Sequence, residues 1–558
     1  MSFKSNNYQE KKFILVSLLT IIFFFFISLF IERNIYNNHV NLIFIQASDF
    51  LNGKVLYKEI YVKYGVLGIL INATSLFIFG ENIFSIFLIH NFFYFSSIFI
   101  ILLIINKIDY TYKSSITVRS IGKLCLILLI IIIHPSIPFA PWPNYLAFFP
   151  LTLSLFFLLT PKRINYFYSG FFLSLACLIR ETIFLSAIII FVGIFFFLLF
   201  NEKKKIYLYK YFIISFLTPL FLFFFYLFFT DNYDFWFGLI YPTYKLEALG
   251  NLGYFINEDA SSLRKFIIIT FGPLREITIT LFRSFRNFQS DWILIFTGYF
   301  SCLFCIVNHL FKKKFDRFTV ISIYSLSLIL QNLHLVEITR VSTGSIIGIL
   351  VAYNYFNKFI SSFRLKAMIL LIILVSLLLN SKQFFLEITD NIKIGYTESY
   401  IKKNYNYSLV FKSFENMNYS PLINRFYLDF EKNCKEIVAK RNIKYSNNKT
   451  EYWDFDYYCN TRPSFYFPVS PSLRPKWIKI YNDFSSKYKN YDQSSKNTIL
   501  FLNSNFKNIS GYETLYFYEV SKELSIKERE KIDNRIFHNK SSNFLDLSYK
   551  YILIVQKI

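Results

Sequence analysis

The sequence predicts a membrane all-α fold: a polytopic bundle of about eleven transmembrane helices with an extracytoplasmic first loop that carries interfacial helices, plus a C-terminal soluble α/β domain. The composition is the first reason. The chain is 54% hydrophobic with a mean hydropathy of +0.38, which is too apolar for a soluble chain of 558 residues. Runs of about 20 apolar residues, enough to cross a hydrocarbon core about 30 Å thick, recur over the first two thirds. The last third is rich in Lys, Asn, Ser and Tyr instead.

The apolar runs define the predicted spans. The first run ends before Glu32 and Arg33 without a small-residue cleavage pattern, so we expect a retained helix and not a cleaved signal. The shorter run Val66–Phe79 lies between two glycines and suits a helix at the membrane interface. The predicted spans are 13–31, 83–105, 121–137, 145–160, 166–179, 183–200, 211–229, 292–311, 318–333, 341–356 and 367–380.

Basic residues between the runs predict the orientation, because Lys and Arg favour cytoplasmic loops. Lys4, Lys11 and Lys12 place the N-terminus inside, and basic clusters recur in every second loop. An odd number of spans then puts the tail outside. We therefore expect a multi-pass protein of the inner (plasma) membrane, with a transmembrane domain over 1–380 and a periplasmic domain over 381–558. The net charge of +24 is explained by this topology, and no nucleic-acid partner is expected.

Within the tail, short alternating or apolar runs predict strands at Thr498–Leu502, Thr514–Tyr518 and Tyr549–Val555. Cys434 and Cys459 also lie in the tail. They can form a disulfide if the tail faces an oxidising compartment.

The first outer loop carries the most specific pattern, FLNGKVLYKEIYVKYGVLGILINATSLFIFGEN over 50–82. It resembles the first outer loop of the GT-C superfamily of membrane glycosyltransferases, which use polyprenyl-phosphate sugars and include the protein O-mannosyltransferases and the lipid A aminoarabinose transferase. In that group, LxGxxxYxD/E is followed by a Gly-Pro or Tyr-Gly turn, an interfacial helix and Phe-Gly. Here Glu59 matches the acidic position, Tyr64-Gly65 the turn and Phe79-Gly80 the final pair.

The resemblance implies roles for residues of this loop. A carboxylate can take the proton of an attacking acceptor hydroxyl or hold a divalent cation, so Glu59 is the candidate base and Asp49 a second catalytic candidate. His39 and Tyr64 are candidates for substrate binding. Relatives carry an acidic residue or pair where this chain has Asn37, Asn38 and His39, which leaves the base open. Alternatively, Glu59 pairs with a neighbouring lysine at the surface, and Asp49 packs or caps a helix.

Two further clusters of ionisable residues lie at the outer ends of predicted spans. Arg180-Glu181 separates two apolar runs, where a guanidinium can bind the phosphate of a lipid leaving group. The alternative is a local ion pair that caps two helices. The third cluster is His334, Glu337 and Arg340, which would share one helical face and which the resemblance implies for donor binding.

These features predict a glycosyltransferase that moves a sugar from a polyprenyl-phosphate-linked donor to a glycan, lipid or protein acceptor at the outer face. A transporter or flippase of lipid-linked sugars and a catalytically inactive sugar-binding relative are the alternatives. The sequence has no Walker A motif, no GxSxG elbow and no GxGxxG, which disfavours an ATP-driven pump, a serine hydrolase and a nucleotide-sugar Rossmann enzyme. No metal site is predicted, and a divalent cation stays an option at the base.

Overall fold

The structure is a computed structural model in which part of the chain is described. Within that part the protein is mostly helical, with a small sheet near the C-terminus. The described residues are 2–32, 38–57, 60, 62, 64–108, 130, 142–160, 162–201, 206–233, 236, 290–312, 315–332, 338–359, 421–443, 445–448, 458–463, 498–504, 506–519 and 551–557.

Long apolar runs without interior glycine clusters form helices because lipid offers no partner for backbone N–H and C=O groups. The helices are α1 Ser2–Glu32, α2 Asn38–Leu51, α3 Val66–Phe79, α4 Ile83–Ile108, α5 Pro143–Leu158, α6 Arg163–Ile179, α7 Ile183–Asn201, α8 Leu208–Phe229, α9 Ser290–Phe311, α10 Arg317–Ser327, α11 Ile338–Phe359 and α12 Pro421–Arg441.

Three of the described helices are long and apolar enough to cross a membrane, namely α4 over Ile83–Lys107, α7 over Ile183–Phe200 and α8 over Leu208–Phe229. In the other apolar helices the described apolar stretch is shorter, 10–17 residues, as in Ile14–Leu29 of α1 and Ile295–Phe311 of α9. The predicted span 318–333 differs in detail, since α10 ends at Ser327 and a 3₁₀ turn follows over Leu328–Asn332. The predicted spans 121–137, apart from residue 130, and 367–380 lie outside the described residues, so the number of eleven spans stays a prediction.

Small residues let the helices approach closely where they cross. A Cβ on Gly170 of α6 would lie 2.1 Å from the carbonyl oxygen of Phe212 in α8. In the same way, a Cβ on Gly298 of α9 would lie 2.6 Å from the carbonyl oxygen of Ser345 in α11. Close backbone contact of this kind is the usual source of helix association in lipid, where apolar side chains gain nothing by leaving the hydrocarbon.

The C-terminal sheet has five strands in the order β2-β1-β3-β5-β4. β1 pairs in parallel with β2 and β3, and β5 is antiparallel to β3 and β4. β3, β4 and β5 cover the three predicted runs, which confirms those strands, although β5 begins two residues later than predicted. The strands are β1 Tyr445–Asn448, β2 Arg462–Pro463, β3 Thr498–Ser504, β4 Tyr512–Glu519 and β5 Tyr551–Lys557.

A disulfide joins Cys434 of α12 to Cys459, just before β2. The sequence left open whether these two cysteines pair, and the structure joins them. The boundary between residues 380 and 381 lies outside the described residues and stays a prediction.

The C-terminal domain rests on the helices of the first loop. Phe426 and Phe430 of α12 belong to the same buried apolar cluster as Phe44 of α2, Leu76 of α3 and Ile86 of α4. A shared apolar cluster holds two elements together through burial worth about 25 cal/mol per Å². The sheet domain thus lies on the same side of the helical bundle as the first loop.

Candidate functional site

The break between α6 and α7 is where the structure places the predicted Arg180-Glu181 cluster. α6 ends at Ile179, and Arg180 leaves the helix with an extended backbone (φ −140°, ψ 106°). Its N–H still donates to the carbonyl of Ala176 over 2.9 Å, and α7 begins three residues later at Ile183. The Arg180 side chain is only 4% exposed. A buried guanidinium is costly unless polar or aromatic groups surround it, which makes this position a candidate site.

The Tyr64-Gly65 turn of the first loop packs directly onto the end of α6. The Gly65 N–H donates to the carbonyl of Ile179 over 3.1 Å. A Cβ on Gly65 would lie 2.0 Å from the carbonyl oxygen of Leu178, so only glycine fits there. The approach brings the Tyr64 ring within 5.2 Å of the Arg180 guanidinium, close enough for a cation–π contact. The structure therefore brings the predicted turn and the predicted basic residue into contact.

A cavity of about 240 Å³ adjoins this contact. Its walls come from the first loop, the end of α6, the break, the start of α7 and the C-terminal part of α8. Most of the lining is apolar. The lining includes Tyr57, Glu181, Leu185, Phe223, Phe224 and Trp236.

Tyr57 is held in this wall by an unusual backbone. Its φ is +66°, in the left-handed region that a bulky residue rarely adopts. A hydrogen bond from the Ile60 N–H to the Val55 carbonyl, over 3.2 Å, closes the loop around it. The side chain is 2% exposed, and burial, together with the nearby Glu181 carboxyl, raises the pKa of its hydroxyl well above the usual value. Tyr57 is thus a neutral hydrogen-bond donor, and backbone strain of this kind concentrates at functional sites.

Glu181 brings a carboxyl to the same cavity. It keeps part of its surface open because it lines the cavity, although protein atoms surround it. Burial raises the pKa of Glu181 to about 7, against the opposing effect of the Arg180 charge. A carboxyl of that pKa exchanges its proton near neutral pH, which allows the charge of the site to change.

The remaining predicted residues of the first loop lie elsewhere or outside the described part. Asp49 of α2 accepts a hydrogen bond from the Lys54 ammonium over 2.6 Å, and its predicted catalytic role stays a prediction. Glu59 lies outside the described residues. His39 belongs to α2, but its side chain is outside the described part.

The third predicted cluster also lies largely outside the described part of the chain. His334 and Glu337 lie outside the described residues, and Arg340 falls in the first turn of α11 with its side chain outside the described part. The site formed by the described residues therefore contains Tyr64, Arg180 and Glu181 of the predicted set.

Sequence reasoning did not single out Tyr57, Trp236 or Glu81. Tyr57 is the tyrosine of the LxGxxxYxE stretch, so a signal for it was present in the quoted pattern. Trp236 follows α8 in a segment with no motif, and only the fold brings it to the cavity. Glu81 accepts a hydrogen bond from the Ser48 hydroxyl, which connects the start of α4 to α2.

No protein-family model matches the chain, and no curated protein matches it in sequence. The chain is similar to two solved structures of ArnT from Cupriavidus metallidurans, one bound to undecaprenyl phosphate and one in the apo state. The first is 9% identical with a TM-score of 0.47, over 88% of this chain and 92% of that one. The second is 10% identical with a TM-score of 0.47, over 88% and 93%. ArnT is the lipid A aminoarabinose transferase, a group that the first-loop pattern resembles. At this identity the likeness assigns no role to any residue.

Proposed function

We propose that this protein is a membrane glycosyltransferase that moves a sugar from a polyprenyl-phosphate-linked donor to an acceptor at the outer face. One observation carries the proposal: a buried Arg180 stacks on Tyr64 of the first loop beside a mostly apolar cavity. A cation next to an apolar space suits a lipid phosphate, because the two parts of that ligand need these two environments.

The reaction we propose is a single displacement. The acceptor hydroxyl attacks the anomeric carbon, the bond from that carbon to the phosphate oxygen breaks, and polyprenyl phosphate leaves with the bonding electron pair. Negative charge grows on the phosphate as the bond breaks, so a guanidinium held at low dielectric stabilises the transition state more than the ground state. Arg180 has that role in the proposal. The hydroxyl proton goes to a carboxylate of the first loop, for which Glu59 is the candidate and Asp49 the alternative.

Two observations support a reaction at the outer face. The disulfide between Cys434 and Cys459 belongs to proteins that mature in an oxidising compartment. The domain that carries it packs against α2, α3 and α4, beside the first loop. We therefore place the C-terminal domain, the first loop and the α6–α7 break together on the periplasmic side, with the N-terminus in the cytoplasm and the acceptor reaching the site from outside. His39, His334, Glu337 and Arg340 stay candidates for substrate binding.

The test is sugar transfer in membranes from a panel of radiolabelled polyprenyl-phosphate sugars, with wild type, Glu59→Gln and Arg180→Ala compared. We expect Arg180→Ala to lower the rate by about 10²- to 10³-fold, the usual loss for one donor to a developing oxyanion. Arg163→Ala is the matched control, since Arg163 also stacks on tyrosines, 5.3 Å from the Tyr207 ring, but at the opposite end of α6. Transfer at the wild-type rate in both Glu59→Gln and Arg180→Ala would contradict the mechanism.

A further inference from the structure

The beginnings of α6 and α8 lie together at the end of the bundle away from the cavity, and they carry basic and aromatic side chains. The Arg163 guanidinium lies 5.3 Å from the centre of the Tyr207 ring and 5.9 Å from that of Tyr211. The Lys210 ammonium lies 5.3 Å from the same Tyr211 ring. Lys162 directly precedes α6 and is exposed. We call these five residues, Lys162, Arg163, Tyr207, Lys210 and Tyr211, the basic patch.

The basic patch carries three exposed cations, Lys162, Arg163 and Lys210. Within the part of the chain that the structure describes, none of them forms a salt bridge. The first turns of α6 and α8 contain no acidic residue, and the connection over 202–205 adds three lysines and one glutamate in sequence. Exposed cations elsewhere in the described part pair with carboxylates, namely Lys54 with Asp49, Lys435 with Glu431, and Arg441 with Glu513. The patch therefore keeps positive charge that no described residue neutralises.

The positive-inside rule alone does not explain how Arg163 is held. Orientation in the membrane needs only the charge of a loop, which a freely moving lysine supplies. Here two tyrosine rings fix the guanidinium through cation–π contacts. Its N–H groups donate to no other residue in the described part of the chain, and a fixed guanidinium with free N–H groups suits a phosphate, to which it can donate in a bidentate manner.

One face of α8 leads from the basic patch into the membrane. Its exposed side chains recur at every third or fourth position and are Tyr207, Lys210, Ile214, Leu217 and Phe221. Tyrosine and lysine are typical of the headgroup level of a bilayer, and the apolar residues that follow are typical of contact with acyl chains. We call Ile214, Leu217 and Phe221 the α8 stripe. A lipid whose headgroup lies at the patch would have its chains along this stripe.

We propose that the basic patch binds the phosphate headgroup of an anionic phospholipid, with the acyl chains of that lipid along the α8 stripe. The patch lies at the opposite end of α6 from Arg180, so this lipid belongs to the other leaflet and takes no part in the proposed transfer. In the orientation proposed above, that leaflet is the cytoplasmic one. Three cations on two neighbouring helices suit a headgroup with two phosphates, as in cardiolipin, because a basic pocket between transmembrane helices is a known type of site for it.

Charge and ring contacts should contribute to this binding in different amounts. Each basic residue near a membrane surface raises the affinity for an anionic lipid by about fivefold. The tyrosines act through Arg163, since they fix its guanidinium, so the loss of one ring should weaken binding by only about twofold. Because the patch is exposed, salt screens its charges, and the affinity should fall as the salt concentration rises.

The experiment is native mass spectrometry of the full chain, titrated with cardiolipin, phosphatidylglycerol or phosphatidylethanolamine. We expect cardiolipin to bind at least about tenfold more tightly than the zwitterionic phosphatidylethanolamine. Arg163→Ala and Lys210→Ala should each weaken the first cardiolipin binding event by about fivefold, and Tyr211→Leu by about twofold. Lys312→Ala is the matched control, because it removes an exposed cation just after α9 and should bind cardiolipin like wild type.

Arg163→Lys guards against a folding artefact, because it keeps the charge and should keep most of the affinity. Equal affinities of Arg163→Ala, Lys210→Ala and Lys312→Ala would overturn the inference, since the overall charge of the protein would then attract the lipid. Equal binding of cardiolipin and phosphatidylethanolamine would overturn it as well. So would displacement of cardiolipin by an equal concentration of polyprenyl phosphate, which would make the patch a second place for that lipid. The readout is lipid binding and not sugar transfer, so the result does not depend on the proposed reaction.

Discussion

Gly65→Ala should separate the first loop from the α6–α7 break. The added Cβ would lie 2.0 Å from the Leu178 carbonyl oxygen, 2.6 Å from its carbon and 2.7 Å from the Ile179 carbonyl carbon. All three atoms are backbone, so no side-chain rotation relieves the clash. The turn must move away, which also lengthens the hydrogen bond from the Gly65 N–H to the Ile179 carbonyl.

The size of the effect follows from these two losses. Overpacking a tight contact costs about 1–3 kcal/mol. Losing one hydrogen bond adds about 0.5–1.5 kcal/mol, so Gly65→Ala should destabilise the protein by about 2–4 kcal/mol. Because Tyr64 and Tyr57 would shift relative to Arg180 by roughly 1 Å, transfer should fall by about a hundredfold.

Gly68→Ala, in the first turn of α3 just after the Gly65 turn, is the matched control. Its Cβ would lie 3.7 Å from the Ile179 carbonyl oxygen, an ordinary contact, and replacing glycine inside a helix favours the helix by about 0.5–1 kcal/mol. Stability is measured by SDS-induced unfolding in mixed micelles, and activity by sugar transfer in nanodiscs. If Gly65→Ala and Gly68→Ala were equally stable and equally active, the close approach at Gly65 would not position the site.

Three other perturbations have defined outcomes. The raised pKa of Glu181 means that between about pH 4.5 and 7 the folded protein holds a proton that the unfolded chain has released, so stability should fall as the pH rises through that window and level off above it. Polyprenyl-phosphate binding should weaken as the Glu181 carboxyl ionises near pH 7, and Glu181→Gln should remove both effects. Cys434→Ser should cost about 3–4 kcal/mol in the C-terminal domain, given a sequence separation of 25 from Cys459, and thiol labelling of both cysteines in wild type should require prior reduction. Gly170→Ala should destabilise the bundle by about 1–3 kcal/mol in SDS unfolding, because its Cβ would meet the Phe212 carbonyl oxygen at 2.1 Å; wild-type stability there would refute the close crossing of α6 and α8.

Local sequence patterns predicted much of the helical architecture. α3 begins and ends at the predicted residues, Val66 and Phe79, because a glycine stands at each end and Gly80 takes a positive φ of 97° that stops the helix. The break at Arg180 was also predictable, since two charged residues interrupt otherwise continuous apolar sequence. Apolar alternation identified β3, β4 and β5 in the tail.

The sequence pattern did not predict contacts between segments that are distant in the chain. Trp236 reaches the cavity only because the chain turns back after α8. In that turn the backbone N–H of Trp236 donates to the Asn232 carbonyl over 2.9 Å. The contact between α7 and α8 depends on where aromatic rings meet, such as Phe191 against Phe212, and phenylalanine occurs along both helices without marking that place. Likewise, the sequence could not predict that α12 and α2 share an apolar cluster, because the two helices are far apart in the chain.

The most direct measurement follows the donor itself. Purified wild-type protein is placed in sealed proteoliposomes with a mixture of envelope lipids, glycans and proteins as acceptors and a polyprenyl-phosphate sugar that carries one radiolabel on the sugar and another on the phosphate. The account predicts that the two labels separate, with the sugar in a new product and an equal amount of free polyprenyl phosphate in the membrane, and that Arg180→Ala slows this separation. A donor that crosses the bilayer with both labels still joined, and no product formed, would show a transporter and contradict the account.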